Sequence, residues 1–182
     1  MSPRLRVLPS EEIEPDLFAE LTALCEAVFA EPFAAVWERI GPGIHVIASH
    51  AGRVTSHAMI IDRRIYLGHE PDQALDVGYV ENVATWPALQ RSGHGTAVMR
   101  EINRLIGEEY ALGGLSTGSN GFYARLGWEA WRGPTYVRML DGERVRSADE
   151  DGDVMILRTP RTPADLDTTG PIAIDWRAEE PW

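Results

Sequence analysis

Residues 76–100, DVGYVENVATWPALQRSGHGTAVMR, restrict the fold more than any other stretch of this chain. The first half alternates as a strand does: Val77, Tyr79 and Val83 are spaced to pack a pleated surface, with Glu81 in mid-run. Trp86-Pro87 ends that strand, because proline cannot donate to a ladder and turns the residue before it away from helix. Gln90-Arg91-Ser92-Gly93-His94-Gly95 then runs into an apolar-periodic segment, Ala97-Val98-Met99 with Ile102, Leu105 and Ile106, which predicts a helix. Glycines where a loop enters a helix let backbone N–H groups converge on an anion, and the helix dipole favours negative charge there. The reading is strand, phosphate-cradling loop, helix. Neither GxxxxGKS/T nor GxGxxG occurs, so the Walker and dinucleotide-binding loops are excluded.

The rest of the chain supplies further strands and helices. Residues 4–8 form a short alternating run, and Pro9-Ser10-Glu11-Glu12 is a turn with helix-start chemistry. Leu17, Phe18, Leu21, Leu24, Cys25 and Val28 recur at helical spacing over residues 15–29, and Glu31-Pro32 breaks that helix before a shorter one at 33–40. After the loop Gly41-Pro42-Gly43, residues 44–48 and 54–61 flank Ala51-Gly52 as a hairpin. Residues 62–74 read as a polar connection with a strand piece at 65–67. Residues 111–116 are strand-like, and Ser119 is placed to cap a short helix through Leu126 that Gly127 closes. Strands follow at 128–131, 136–140 and 154–157, with the acidic turn Asp149-Glu150-Asp151-Gly152-Asp153 before the last. The tail from Thr159 is rich in proline, threonine and acid, with 172–174 its one strand-like piece. Such an order predicts one α+β domain, residues 1–182, built on a mixed sheet.

Charge narrows the partners. Twenty-eight acidic residues against 17 basic give a formal charge of -11, which argues against nucleic acid or an anionic membrane and suits a cationic substrate. The N-terminus lacks the apolar stretch of a signal peptide and no 18-residue apolar run occurs, so the expected location is cytoplasmic. The single cysteine, Cys25, rules out an internal disulfide and reads as a small buried filler rather than a nucleophile. His45, His50, His57 and His69 are scattered, without i,i+4 spacing, and no metal is expected.

The Q-x-x-G-x-G of residues 90–95, between strand and helix, resembles the pyrophosphate loop of the GCN5-related N-acetyltransferases (GNAT), which bind acetyl-CoA. Tyr123-Ala124-Arg125-Leu126-Gly127-Trp128 resembles the Y-x-x-x-G-F that ends a later helix in that superfamily. Three further stretches narrow the likeness: GYVENVAT (78–85), LGGLS (112–116) followed by FYARLGW (122–128), and the terminal DWRAEEPW (175–182). They are similar to the GYVE-V-V strand, the LGALS segment and the DWRA-x-x-x-W terminus of the aminoglycoside 2′-N-acetyltransferases.

That resemblance implies the GNAT fold, an α/β/α sandwich. Its central sheet is mixed, mostly antiparallel, with a splayed strand pair at the acetyl-CoA site, and residues 159–182 form a tail closing the substrate site. It implies acetyl transfer from acetyl-CoA to the 2′-amine of an aminoglycoside, conferring resistance, by a homodimeric enzyme. An amine must be neutral to attack a thioester, so a base is needed. Glu81 matches the family's base, acting through ordered water, and Tyr123 matches its acid. Backbone groups of Val83 and Thr85 match those that pair with the pantetheine arm. Gln90, Arg91, Ser92, Gly93, His94, Gly95 and Thr96 match the pyrophosphate loop, with Arg91 adding charge. His94 is expected to serve through its backbone, its ring facing solvent. For the substrate, the matches are Glu31, Ser116, Asp149, Glu150, Asp151, Glu180 and Trp182 with its terminal carboxylate.

The chain also departs from the pattern. Familiar members carry aspartates between the early helices, where this chain has only Glu31, and just before the later tryptophan, where residues 33–36 are Phe-Ala-Ala-Val. A wall with fewer carboxylates favours a smaller, less charged aminoglycoside, and kasugamycin is the expected one. Competing readings are an acetyltransferase for a polyamine or a peptide N-terminus, and a non-catalytic CoA-binding module. The DWRA-to-Trp terminus does not predict the first, and retention of Glu81 and Tyr123 speaks against the second.

Overall fold

The apolar periodicity of the early chain becomes helix α1 (Pro15–Phe29), which starts on a proline at a position whose N–H would have no helical partner anyway. The helix stops where Ala30 adopts the left-handed conformation and donates its N–H to the Glu26 carbonyl at 3.0 Å. Leu21, Leu24 and Cys25 are fully buried and pack with Phe33, with Val36 of α2 (Ala34–Ile40), and with Ile47, Val54 and Ala84. Cys25 is a packing residue. Burial pushes its thiol up to about 12, so no thiolate exists at neutral pH.

The computed structural model of the chain describes residues 3–69, 73–178 and 180–182. Two compact units make it up, one comprising Met1–Ile61 and Val80–Arg104, the other Asp62–Tyr79 and Leu105–Trp182. In the first unit, strand β1 (Arg4–Pro9) pairs antiparallel with β2 (Ile44–His50). β2 in turn pairs with the first part of β3 (Arg53–Leu67). Ala51 and Gly52 both have positive φ, the two-residue hairpin turn whose twist suits the flanking strands. The end of β4 (Gln73–Thr85), a short 3-10 turn at Pro87–Leu89 and the start of α3 (His94–Glu109) complete this unit. The stop at Trp86-Pro87 is where the sequence places it, while α3 begins at His94, earlier than its first apolar residue.

The second unit carries β5 (Leu112–Ser116), α4 (Asn120–Ala124), β6 (Glu129–Ala130), β7 (Thr135–Arg138), β8 (Arg144–Arg146), β9 (Val154–Arg158) and β10 (Ile172–Asp175). Its strand order is β6-β9-β5-β4-β3-β10-β7-β8. Pairs β4–β5 and β10–β7 are parallel and the others with a described register are antiparallel, so the sheet is mixed and mostly antiparallel, as expected. The β4–β5 ladder covers Val77–Tyr79 against Leu112–Gly114, and both strands run on past it. Gly114 makes that ladder possible: a Cβ there would stand 2.9 Å from Cδ2 of the buried Tyr79 ring.

Several expectations change. The polar connection at 62–74, of which 70–72 lie outside the described residues, is for the most part strand: β3 continues unbroken to Leu67, because Ile65 is fully buried and pairs with Ile174. Residues 172–174 are not a peripheral piece of tail. β10 lies between β3 and β7 with Ile172, Ala173 and Ile174 at 0 % exposure, the continuous apolar run of a strand covered on both faces. Ser119 makes no side-chain cap to α4; its own N–H donates to Thr117 Oγ1 at 3.0 Å. That helix closes early, on bonds from Leu126 and Gly127 to Tyr123 and Ala124. The strand expected at 136–140 ends at Arg138, since Met139 donates to the Glu143 carbonyl at 2.7 Å in a tight turn leading to β8.

Candidate functional site

The first unit gathers the loop, the base candidate and the end of β4. Asn82 breaks the strand with a φ of 54°, a left-handed conformation that asparagine tolerates better than most residues. Beside it Glu81 is half-buried, and its Oε1 is sheltered from solvent. Three consecutive residues of β3 hold the chain from Asn82 to Trp86. His57 Nδ1 lies 3.2 Å from the Asn82 carbonyl, and Ser56 Oγ donates to the Ala84 carbonyl at 2.8 Å. Thr85 Oγ1 lies 2.7 Å from Ser56 Oγ, whose proton is already placed, so the threonine donates. Thr55 accepts the Trp86 N–H on its carbonyl at 3.2 Å. Thr55, Ser56 and His57 are all buried. The end of β4 is thus gripped from β3, largely by side chains.

The loop has the backbone form of an anion cradle. Arg91 and Gly93 have φ of 60° and 91°, and space is open where a Gly93 side chain would project. Ala97 is bonded to the Gly93 carbonyl at 2.9 Å, so the amides before it belong to the first turn of α3, where helix geometry provides no partner. Gln90 Nε2 reaches back to the Thr85 carbonyl at 3.4 Å, and Ser92 Oγ bonds the Leu89 carbonyl. Cradle and dipole suit the pyrophosphate of a coenzyme A thioester.

His94 differs from expectation. Its ring does not face solvent: the residue is 8 % exposed, with Nδ1 at 2.7 Å from Thr55 Oγ1. Thr55 Oγ1 gives its own proton to the Ala48 carbonyl at 3.1 Å, so the imidazole donates. The ring ties the head of α3 to β3. Two of the histidines read as scattered also meet. His45 and His57, diagonal neighbours on the β2–β3 hairpin, lie with Nδ1 and Nε2 2.9 Å apart and buried.

The second unit gathers most of the expected substrate residues around the turn at 147–151. Ser116 Oγ donates to Glu150 Oε2 at 2.8 Å. Asp149 and Glu150 lie in a 3-10 turn, Ala148–Glu150. Asp151 is committed elsewhere: it pairs with Arg146 and accepts the Thr135 N–H at 3.0 Å. The Arg146 guanidinium, helped by Thr135, holds its carboxyl at about 2. Trp182 is buried, and its Nε1 donates to Ser147 Oγ at 3.0 Å. Glu180 is exposed, its carbonyl accepting from Arg177 Nε at 2.8 Å. Glu31, in the first unit, is exposed between α1 and α2.

Tyr123 is buried on α4. Burial raises its hydroxyl to about 12, opposed by a hydrogen bond from Thr117, so the phenol keeps its proton at any physiological pH.

The sequence reading missed Thr55, Ser56, His57 and His45. A signal existed: Thr-Ser-His interrupts the apolar run of β3, and polar residues retained in a buried strand are hydrogen-bonded.

Comparison with known proteins shows the family and the fold. The model of the acetyltransferase (GNAT) domain matches residues 10–131. An aminoglycoside 2′-N-acetyltransferase of Mycolicibacterium fortuitum is 36 % identical over 152 residues, covering 81 % of this chain and 75 % of that protein. Among solved structures, a GNAT family N-acetyltransferase of Escherichia coli in complex with CoA matches at TM-score 0.62 with 16 % identity, over 95 % of this chain and 92 % of the other. A GNAT family acetyltransferase of Brucella melitensis in complex with acetyl-CoA matches at TM-score 0.55 with 17 % identity, over 93 % and 95 % of the two chains. The chain is therefore a GNAT acyltransferase and, within that superfamily, belongs to the aminoglycoside 2′-N-acetyltransferase family. No helix among the described residues is long and apolar enough to cross a membrane.

Proposed function

We propose that this protein transfers the acetyl group of acetyl-CoA to the 2′-amine of an aminoglycoside and so confers resistance. The likeness to the Mycolicibacterium fortuitum enzyme carries this reading. The formal charge of -11 supports it, because it draws in a polycation. Kasugamycin is the favoured substrate, since only Glu31 stands where other members have acids between the early helices.

The cosubstrate supplies an activated acyl carbon and a thiolate leaving group. Glu81, through a water, takes a proton from the substrate's ammonium, leaving the neutral amine to attack the acyl carbon. The left-handed turn at Asn82 sits next to it and sets the direction of the strand there. Tyr123, a phenol held protonated, gives its proton to the departing sulfur. Since β3 takes the carbonyls of Asn82 and Ala84, the intervening Val83 turns its backbone to the other edge, toward the pantetheine amides, with Thr85 beyond it. Amides from Arg91 to Thr96 hold the pyrophosphate, with Gln90 bracing the loop. Ser116, Asp149, Glu150 and Glu180 receive the substrate's ammonium and hydroxyl groups, the Trp182 indole walls the site, and Asp151 holds the turn. Residues 1–182 act as one domain with 159–182 closing the substrate site, in a cytoplasmic homodimer. Exposed Val145 on the edge strand β8 and Leu140 in the turn before it support self-association.

The test is thiol release from acetyl-CoA with kasugamycin, gentamicin, kanamycin and spermidine. Turnover of kasugamycin alone supports the full reading. Equal or better turnover of kanamycin removes the kasugamycin preference, and reaction with spermidine alone replaces the substrate class.

A further inference from the structure

A chain of hydrogen bonds crosses the first unit from Ser10 to Asn82. Gly43 N donates to Ser10 Oγ at 2.9 Å, and Ser10 Oγ lies 2.9 Å from His45 Nε2. His45 Nδ1 lies 2.9 Å from His57 Nε2, and His57 Nδ1 lies 3.2 Å from the Asn82 carbonyl. The far end decides every proton. A carbonyl can only accept, so His57 Nδ1 carries hydrogen and, in a neutral ring, its Nε2 accepts. His45 Nδ1 must then donate, which leaves its Nε2 to accept the Ser10 hydroxyl proton in preference to the Gly43 carbonyl. That carbonyl, 3.1 Å from Ser10 Oγ, already takes the Ser10 N–H at 3.0 Å. Gly43 supplies the hydroxyl's own donor. With both imidazoles neutral, every group in the chain is satisfied and all the protons point one way. Burial keeps them neutral, with values lowered to about 4 for His45 and about 3 for His57. Trp37 packs on both rings, its centroid 5.9 Å from each.

We propose that His57 is a positioning residue for acetyl transfer: fixed by His45 and Ser10, it holds the Asn82 carbonyl and thereby the left-handed turn in β4 that aims Glu81. The acceptor it grips belongs to the one non-glycine residue of β4 with positive φ, immediately after the proposed base. A backbone carbonyl shielded from water needs a donor. His57 supplies it from the neighbouring strand at 0 % exposure, where no water competes. His45 fixes the tautomer. This inference rests on the catalytic role proposed for Glu81, and its test separates the two.

The experiment compares two variants that each keep one half of the imidazole's hydrogen bonding. In His57→Asn the amide nitrogen replaces Nδ1 and retains the bond to Asn82. In His57→Gln the amide replaces Nε2 and keeps only the His45 side. For His57→Gln, kcat should fall about 10- to 100-fold with acetyl-CoA affinity unchanged, and for His57→Asn it should stay within about threefold. Amide hydrogen exchange of residues 81–84 should accelerate in His57→Gln and not in His57→Asn. Equal behaviour of the two variants in exchange and rate overturns the proposal. If wild-type protein acetylates no aminoglycoside, the substrate reading falls, while the exchange comparison still decides the role of His57. Nitrogen chemical shifts of the wild-type rings provide a check that no unfolded variant can obscure. Both rings should be Nδ1–H tautomers, and an Nε2–H tautomer for either overturns the proposal.

Discussion

The hydroxyl of Ser116, the last residue of β5, donates to Oε2 of Glu150 at 2.8 Å, although 34 residues separate the two in the chain. This bond brings the end of a buried strand to the acidic turn at 147–151 and orients one carboxylate there. Asp151, one residue on, is held by Arg146 and Thr135 instead. The acids of this turn therefore differ in what they offer a cation.

Glu150→Gln should raise KM for the aminoglycoside about tenfold and leave kcat within about threefold, the signature of lost uniform binding. Asp151→Asn should act differently, lowering thermal stability while changing KM less. Steady-state kinetics and thermal melts distinguish the two, and identical kinetic effects would refute the division of labour.

Glu81→Gln and Tyr123→Phe should each lower kcat about 10²-fold while CoA binding, followed by calorimetry, persists. Because burial raises Tyr123 to about 12, the kcat profile should show no alkaline fall from this group below about pH 10. An unchanged rate in Glu81→Gln would remove it as base.

His45 and His57 bind protons less readily in the folded chain, at about 4 and about 3 against an ordinary 6.5. The unfolded chain takes up more protons between those limits. Their stability contribution is therefore complete above pH 6.5 and is lost as pH falls through this window, by about 1.4 kcal/mol per pH unit for each imidazole. Denaturant melts from pH 7 to pH 4 should show it, and a flat response would contradict two neutral buried rings.

Gly114→Ala should destabilise the protein by about 1–3 kcal/mol, because the added methyl meets the buried Tyr79 ring at 2.9 Å and neither strand can retreat easily. A fall in Tm of several degrees is the expected reading. No change would mean that the Tyr79 ring relocates freely.

Helix α1, the hairpin turn at Ala51-Gly52, the stop at Trp86-Pro87 and the loop before α3 were all legible in the sequence. Each arises from side-chain periodicity or from the backbone preferences of proline and glycine, which act over a few residues. The family was legible for a related reason: its signatures are contiguous. Local pattern could not place β10 between β3 and β7, since that position depends on which two strand edges it meets. Nor could it turn the His94 ring inward onto Thr55, join Ser116 to Glu150, or align His45 with His57 beneath Asn82. Those partners stand 12 to 39 residues apart along the chain. Only folding brings them within hydrogen-bonding reach, and burial then decides which nitrogen holds the proton. The amino-acid sequence by itself determined the local elements and the chemistry available to this acetyltransferase, and the tertiary structure decided which of those groups meet.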